Sequence, residues 1–313
     1  MTTITASMVK ELRDKTGAGM MDCKMALTET KGDMEQAVDW LRKKGLSKAA
    51  KKAGRVAAEG LIGVAAGDKA GAIVEVNSET DFVARNEQFQ DMVRKITSLA
   101  PKAAGDVAKI LAMPYPGHKG TVEDYVKEMV ATIGENMSVR RTAEMKVGDG
   151  VVAEYVHNKA ADGLGKIGVL VALESKGDKA AVAGFGRQLA MHIAAASPAA
   201  LTADELDPAL IERERTVYTE QAKASGKPAD IVAKMVEGRL RKEFYQQVVL
   251  MQQTFLGAGG DGKATVEQVL KGAEKTAGAP IKIARFVRYA LGEGIEKKED
   301  DFAAEVAAAA GQR

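Results

Sequence analysis

One pattern occurs twice in this chain and limits its fold more than any other. An apolar run, Leu61-Ile62-Gly63-Val64-Ala65, leads through a turn at Gly67-Asp68-Lys69-Ala70-Gly71 into Ala72-Ile73-Val74-Glu75-Val76, and Phe89, Met92, Val93 and Ile96 then follow at helical spacing. The order returns later: apolar residues over 151–156, a turn near Asp162-Gly163, a second run over 167–173, and a helical pattern from 178 to 196. Short apolar runs on either side of a glycine-containing turn read as a β-hairpin, and the 3.6-residue period after each reads as a helix. Two hairpin-plus-helix units predict a duplicated α+β core in which helices cover one face of each antiparallel sheet.

Outside that core the chain changes texture. Residues 1–45 read as three short helices: one with Val9 and Leu12 stopping at Gly17, one with Met21 and Met25 stopping near Gly32, and one opening at Asp33. Gln36 completes a capping box with Asp33, and the third helix carries Met34, Val38 and Leu41 before Gly45. Such a unit has little core and suits docking better than chemistry. Arg42, Lys43, Lys44, Lys48, Lys51, Lys52 and Arg55 then form a basic run over 42–55 without an acidic residue. No aromatic side chain is interleaved for base stacking, so a solvated tether is favoured over a phosphate-binding face. Residues 198–250 are helical and charged, broken at Ser225-Gly226-Lys227-Pro228. Leu210, Ile211, Val217 and Tyr218 on one arm would seam against Ile231, Met235 and Val236 on the other as a projecting antiparallel helical hairpin. A short helix with Val266, Val269 and Leu270, a strand over 281–289 and a charged, alanine-rich end complete the chain.

Composition narrows the function classes. With 313 residues, 46% apolar and 28% charged, the chain is long enough for two or three globular domains. A net charge of +2 excludes a surface that binds polyanions as a whole. Cys23 is the single cysteine, which rules out an internal disulfide, fits a reducing compartment and reads as a small buried thiol. No run reaches the roughly 18 apolar residues of a membrane span, and the N-terminus lacks a secretory or transit pattern, so a soluble, cytoplasmic protein is expected. His118, His157 and His192 lie far apart, giving neither metal-ligand spacing nor a His-centred triad, and the reading assigns no catalytic residue, cofactor or metal. His192 flanks the Val182, Phe185, Leu189, Ile193 stripe and is expected to be half-buried. The glycine-rich loop 257–262 imitates a P-loop, but Ala264 stands where Ser or Thr would reach magnesium, and a surface loop is the better reading.

The run Asn77-Ser78-Glu79-Thr80-Asp81-Phe82-Val83-Ala84-Arg85-Asn86 sets a carboxylate beside a large aromatic where a strand gives way to a helix. Two readings compete. Phe on such a turn can serve as a wedge against another protein. If the helix starts at Asp81, however, Phe82 lies seven residues before Phe89 and joins the core stripe, and spacing alone favours that arrangement.

Five segments in order, Thr16-Gly17-Ala18-Gly19-Met20-Met21-Asp22-Cys23-Lys24, Thr80-Asp81-Phe82-Val83-Ala84-Arg85-Asn86, Gly134-Glu135-Asn136-Met137-Ser138-Val139-Arg140-Arg141, Met191-His192-Ile193-Ala194 and Lys234-Met235-Val236-Glu237-Gly238-Arg239, closely resemble the bacterial elongation factor Ts family. The likeness covers essentially the whole chain. It implies a guanine-nucleotide exchange factor that binds elongation factor Tu, GDP-bound or nucleotide-free, and speeds GDP release, with no covalent chemistry, no cofactor and no stable nucleotide site of its own. It implies that Thr80, Asp81, Phe82 and Val83 reach the magnesium and switch region of the GTPase, and so reverses the spacing-based reading of Phe82. Further partner contacts map onto Lys24, Ile167, Gly168 and His192, with Leu256 added where the pattern departs into Gly257-Ala258-Gly259-Gly260. The implied organisation is a ubiquitin-associated-like helical module and linker at 1–54, a core N-subdomain at 55–147, a core C-subdomain at 148–200 and 230–263, a helical hairpin inserted at 201–229, and a C-terminal module and tail at 264–313. The hairpin suits either a homodimer or assembly with a second elongation factor Tu. Rival readings are an RNA-associated protein using the 42–55 run and, more distantly, a nucleotide-using enzyme built on 257–263.

Overall fold

The structure, a computed structural model, describes residues 4–224, 226–257 and 262–296. The glycine-rich loop except for its ends, and the charged tail from 297, lie outside the described residues. Three helices open the chain, α1 (Ala6–Thr16), α2 (Met20–Glu29) and α3 (Met34–Lys52). They close a small core of Val9, Leu12, Cys23, Ala26, Leu27 and Ala37. Cys23 is buried there, as expected. The apolar face of α2 is not the one that Met21 and Met25 predict: Cys23, Ala26 and Leu27 point inward, while Met21 is 72% exposed. Small residues at 23 and 26 let the helices approach closely on that face.

The third helix does not stop at Gly45. It continues through the basic run to Lys52 and packs along α6 (Val122–Ile133). Several residues of the run are engaged within the chain. Arg42 pairs with Asp124 at 3.8 Å, Lys44 with Asp22 at 3.1 Å, and Lys52 donates to the Gly134 carbonyl at the end of α6. A cation at a helix C-terminus also meets the negative end of its dipole.

Both expected hairpins form. The first pairs β1 (Glu59–Ala66) with β2 (Ala70–Ser78), followed by α4 (Glu87–Leu99), the short α5 (Val107–Ala112) and α6. The second pairs β4 (Gly150–His157) with β6 (Ile167–Glu174), followed by α7 (Lys179–Ala196). Each sheet gains strands the repeat did not announce. β3 (Met137–Lys146) joins β2, and the two-residue β5 (Leu164–Gly165) joins β1, giving the order β3-β2-β1-β5. The strand near the C-terminus, β7 (Lys282–Ala290), pairs with β6, and α11 (Val266–Ala277) packs on α7, so both belong to the second sheet and its cover.

Strand alternation sorts these apolar runs into layers. On the first sheet Leu61, Val74 and Val76 meet Phe89, Met92, Val93 and Ile96 of α4, while Ile62, Val64 and Ile73 point the other way. On the second, Val169, Val171 and Leu173 meet Phe185, Leu189 and Ile193 of α7, while Leu170 and Ala172 point the other way. Those two remaining faces pack on each other, so the order is helices, sheet, sheet, helices. Sheets covered on both sides explain why the strands read as continuous apolar runs. The α+β class expected from the sequence is what the structure has.

The arm is a helical hairpin of α8 (Pro208–Lys223) and α9 (Ala229–Arg239), which passes through a π-helical stretch (Leu240–Tyr245) into α10 (Gln246–Val248). Its seam keeps Leu210, Ile211, Tyr218 and Val236 of the expected one and takes Val232 in place of Ile231. Val232, Val236, Leu240 and Phe244 are buried against Ala222, with Leu210, Ile211 and Tyr218 partly buried beside them. Val217 and Ile231 are exposed. Finally α11 (Val266–Ala277) starts from a complete capping box of Thr265 and Gln268.

Candidate functional site

The 80–83 segment is built from its base upward. β2 delivers the chain as far as Ser78, whose hydroxyl donates to the Thr80 carbonyl at 3.1 Å. Residues 83–85 make one 3₁₀ turn, closed by the Arg85 amide donating to Phe82 O and the Asn86 amide donating to Val83 O. The helix then starts at Asn86 and not at Asp81: the Asn86 side chain accepts from the amides of Gln88 and Phe89 at 2.9 and 3.1 Å. This N-cap breaks the helical register on which the core placement of Phe82 depended. Val83 and Ala84 are buried, whereas Phe82 is 73% exposed. The outward placement implied by the family resemblance therefore matches the structure, and the spacing-based one is overturned. Asp81 stands beside Phe82 with Arg85 at 3.5 Å, an exposed pair of small energetic weight.

A second polar segment holds this turn. The Thr80 amide and hydroxyl both donate to the Glu135 carboxylate, at 2.9 and 2.6 Å. The Asn136 amide donates to Glu79, whose other oxygen is 3.4 Å from the Arg55 guanidinium. The Asn136 side chain donates to the Arg55 carbonyl at 2.7 Å. Below them Glu75, fully buried, receives Arg140, Arg141, the Asn77 side-chain Nδ2 and the backbone amide of Gly292. Burial alone would raise the Glu75 carboxyl, but the hydrogen bonds from Gly292, Asn77 and Arg141 outweigh it and hold its pKa below the ordinary carboxylate value. The segment from Gly134 to Arg141 thus anchors the turn and the strand beneath it. Glu79, Glu135 and Asn136 were not among the residues singled out as candidates. The signal for Glu135 and Asn136 was the dense polar run Gly134-Glu135-Asn136, and that for Glu79 its place in the polar run before Thr80.

The remaining candidates lie elsewhere on the surface or beneath it. Lys24 is exposed on α2 in company with the exposed Met20, Met21 and Met25. Leu256 is 62% exposed, and Ile167 is half-buried at the start of β6. Gly168 is buried between the sheets: a Cβ there would come within 2.6 Å of Ile62 and Val64. His192 is fully buried and not half-buried as its helical position predicts. Its Nε2 donates to Gln253 Oε1 at 2.9 Å, its Nδ1 accepts from the Leu256 amide at 3.1 Å, and its ring stacks on Phe255. Burial pushes its pKa down, partly offset by the Gln253 hydrogen bond. His192 thus fixes the segment that presents Leu256. Among the described residues, no group of three or more His, Cys, Asp or Glu is placed to hold a metal ion, and no helix is long and apolar enough to cross a membrane.

Comparison with known proteins gives a single answer along almost the entire length. The family model described as "Elongation factor TS" matches residues 79–293, beginning at the base of the exposed turn. The chain is 65% identical over 310 residues to "Elongation factor Ts" of Parvibaculum lavamentivorans, covering 99% of each. It is 60% identical over 307 residues to that of Bartonella henselae, covering 98% of this chain and 99% of the relative. It is also 60% identical over 311 residues to that of Rhodospirillum centenum, covering 99% and 100%.

Proposed function

The chain belongs to the elongation factor Ts family, and from that premise we propose that it is a guanine-nucleotide exchange factor for elongation factor Tu whose working element is the turn carrying Asp81 and Phe82. The observation that carries the reading is an aromatic side chain exposed for 73% of its surface, on a backbone pinned on both sides. Exposed Phe on a rigid turn is a poor choice for solubility and a good one for insertion into another protein.

A bound guanine nucleotide is held largely through its phosphates and magnesium, so a partner that displaces the elements around that ion weakens the whole site. In this reading Phe82 pushes a helix of the GTPase aside, Asp81 disturbs the magnesium or its waters, and Thr80 and Val83 seat the pair. Lys24, Ile167 and Leu256 make further direct contacts. His192 and Gly168 act from beneath, the first by holding Leu256 and the second by setting the position of Ile167. The helical arm meets either a second copy of this chain or a second elongation factor Tu. The factor acts in the cytoplasm and makes or breaks no covalent bond. Binding is reciprocal: the ratio by which the factor weakens GDP affinity is the ratio by which GDP weakens the factor's affinity, and a transient ternary complex suffices for exchange.

The test is release of fluorescent GDP from elongation factor Tu under excess unlabelled nucleotide. The native chain should accelerate release, Phe82→Ala should reduce the acceleration by roughly 30-fold, as for an interface hot spot, and Asp81→Ala by about tenfold. Native-like melting of both variants combined with native release rates would remove this mechanism.

A further inference from the structure

We propose that Glu135, acting together with Glu79, is a positioning residue for exchange, which fixes the shape of the 80–83 turn before the GTPase is met. The proposal rests on the reading of that turn as the exchange element. Ser78 and Met137 are register partners on β2 and β3, so Glu79-Thr80 and Glu135-Asn136 face each other where the two strands meet the turn. The contacts across that junction are reciprocal. The Glu135 carboxylate accepts from the amide of Thr80, the residue after Glu79, and the Glu79 carboxylate accepts from the amide of Asn136, the residue after Glu135. Each carboxylate thus has a backbone amide aimed at it, and Glu79 has in addition the Arg55 guanidinium at 3.4 Å.

Glu135 also accepts the Thr80 hydroxyl at 2.6 Å, so two donors of a single residue converge on one carboxylate. Hydrogen bonds to an ionised acceptor are about twice as strong as neutral ones. Phe82, by contrast, is mostly exposed and is held by its backbone more than by side-chain packing. A wedge that must enter a partner loses affinity for the displaced state if its backbone has to be ordered during insertion. The clamp does that ordering in the free protein, without touching nucleotide or magnesium.

The experiment measures the saturating rate of fluorescent GDP release from elongation factor Tu with the full chain and its variants, after melting curves show that each variant folds. Glu135→Gln and Thr80→Val should each lower that rate by about tenfold, and the double variant should be no slower than the slower single one. A background lacking the wedge, Asp81→Ala with Phe82→Ala, separates positioning from general stability: there Glu135→Gln should change the residual rate by less than about twofold. Rates of Glu135→Gln and Thr80→Val within about twofold of native overturn the proposal, as do equal slowing in both backgrounds and additive losses in the double variant. If Phe82→Ala and Asp81→Ala leave the rate intact, the reading of the turn fails first and the positioning role falls with it. If they slow release while the Glu135 and Thr80 variants do not, only the positioning role fails.

Discussion

His192 has both ring nitrogens in use, and that makes it a pH-dependent support. The Leu256 amide donates to Nδ1, so Nδ1 carries no proton, and the proton on Nε2 points at Gln253. Charging the ring would place a second proton against the Leu256 amide in a site without water access. Its folded pKa lies below the ordinary 6.5, because burial penalises the charged form more than the Gln253 hydrogen bond favours it. The unfolded chain therefore binds the extra proton first. The stabilisation is complete above about pH 6.5 and is lost as pH falls from there towards the folded pKa. Melting of the native chain should drop as pH falls below about 6.5, and His192→Gln should start roughly 1–3 kcal/mol less stable with a flatter profile. An equally steep profile in the variant would assign the pH dependence to other groups. At this scale the sequence is readable where periodicity rules and misleading where a cap intervenes. The stripe of Val182, Phe185, Leu189 and Ile193 is buried as its spacing predicts. Phe82 has a comparable spacing to Phe89 but lies outside the helix, because the Asn86 side chain starts α4 five residues after Asp81. Asn is a good N-cap in many contexts, and nothing in the local spacing says which polar residue of the run will take the role.

Helix α3 shows the same ambiguity for a whole element. Glycine at position 45 reads as a stop, yet the helix runs through it, since a Cβ there would stand 3.1 Å from the Ala131 side chain on α6. The residue is a close-approach point between two helices, and the stop signal and the packing signal are the same letter. Gly45→Leu should overpack this contact by roughly 1–3 kcal/mol and push α3 off α6. Hydrogen exchange should then quicken at the C-terminal turn of α6, where Lys52 now holds the Gly134 carbonyl, while α4 and its strands keep their protection. Unchanged exchange at that turn would mean the contact contributes nothing to docking. β3 escaped the sequence for another reason. Arg140, Arg141, Glu144 and Lys146 give it the texture of a surface segment, although Arg140 and Arg141 reach the buried Glu75 and the strand completes the first sheet. The partner of those arginines sits more than sixty residues away, beyond any window of periodicity. In the arm, the one-position shift from Ile231 to Val232 reflects the same limit: both residues are β-branched and apolar, and the angle at which α8 meets α9 decides between them.

At the scale of the whole molecule the duplicated hairpins were legible and their mutual packing was not. Apolar residues on both faces of a strand say that both faces are covered, but they do not say by what. One residue records the answer. A Cβ on Gly168 would come within 2.6 Å of the γ-carbons of Ile62 and Val64 and 2.9 Å of Ile73, all on the opposite sheet. These neighbours are β-branched, with little rotamer freedom on a strand, so they cannot swing aside. The absence of a side chain at 168 therefore sets the distance between the sheets, and with it the relation of the half that bears Phe82 to the half that bears Ile167 and Leu256. Gly168→Ala should lower stability by roughly 1–3 kcal/mol, as overpacking does. It should also reduce exchange on elongation factor Tu even when the folded fraction is held above nine-tenths, because the contacts proposed above lie on both halves and would have to be met at once. Two readouts decide the matter: the urea midpoint reports the packing cost, and the saturating GDP release rate of the folded variant reports the geometry. A lowered midpoint with a native release rate would limit Gly168 to stability, whereas a native midpoint would show that the sheets have slack where the spacing of side chains leaves none.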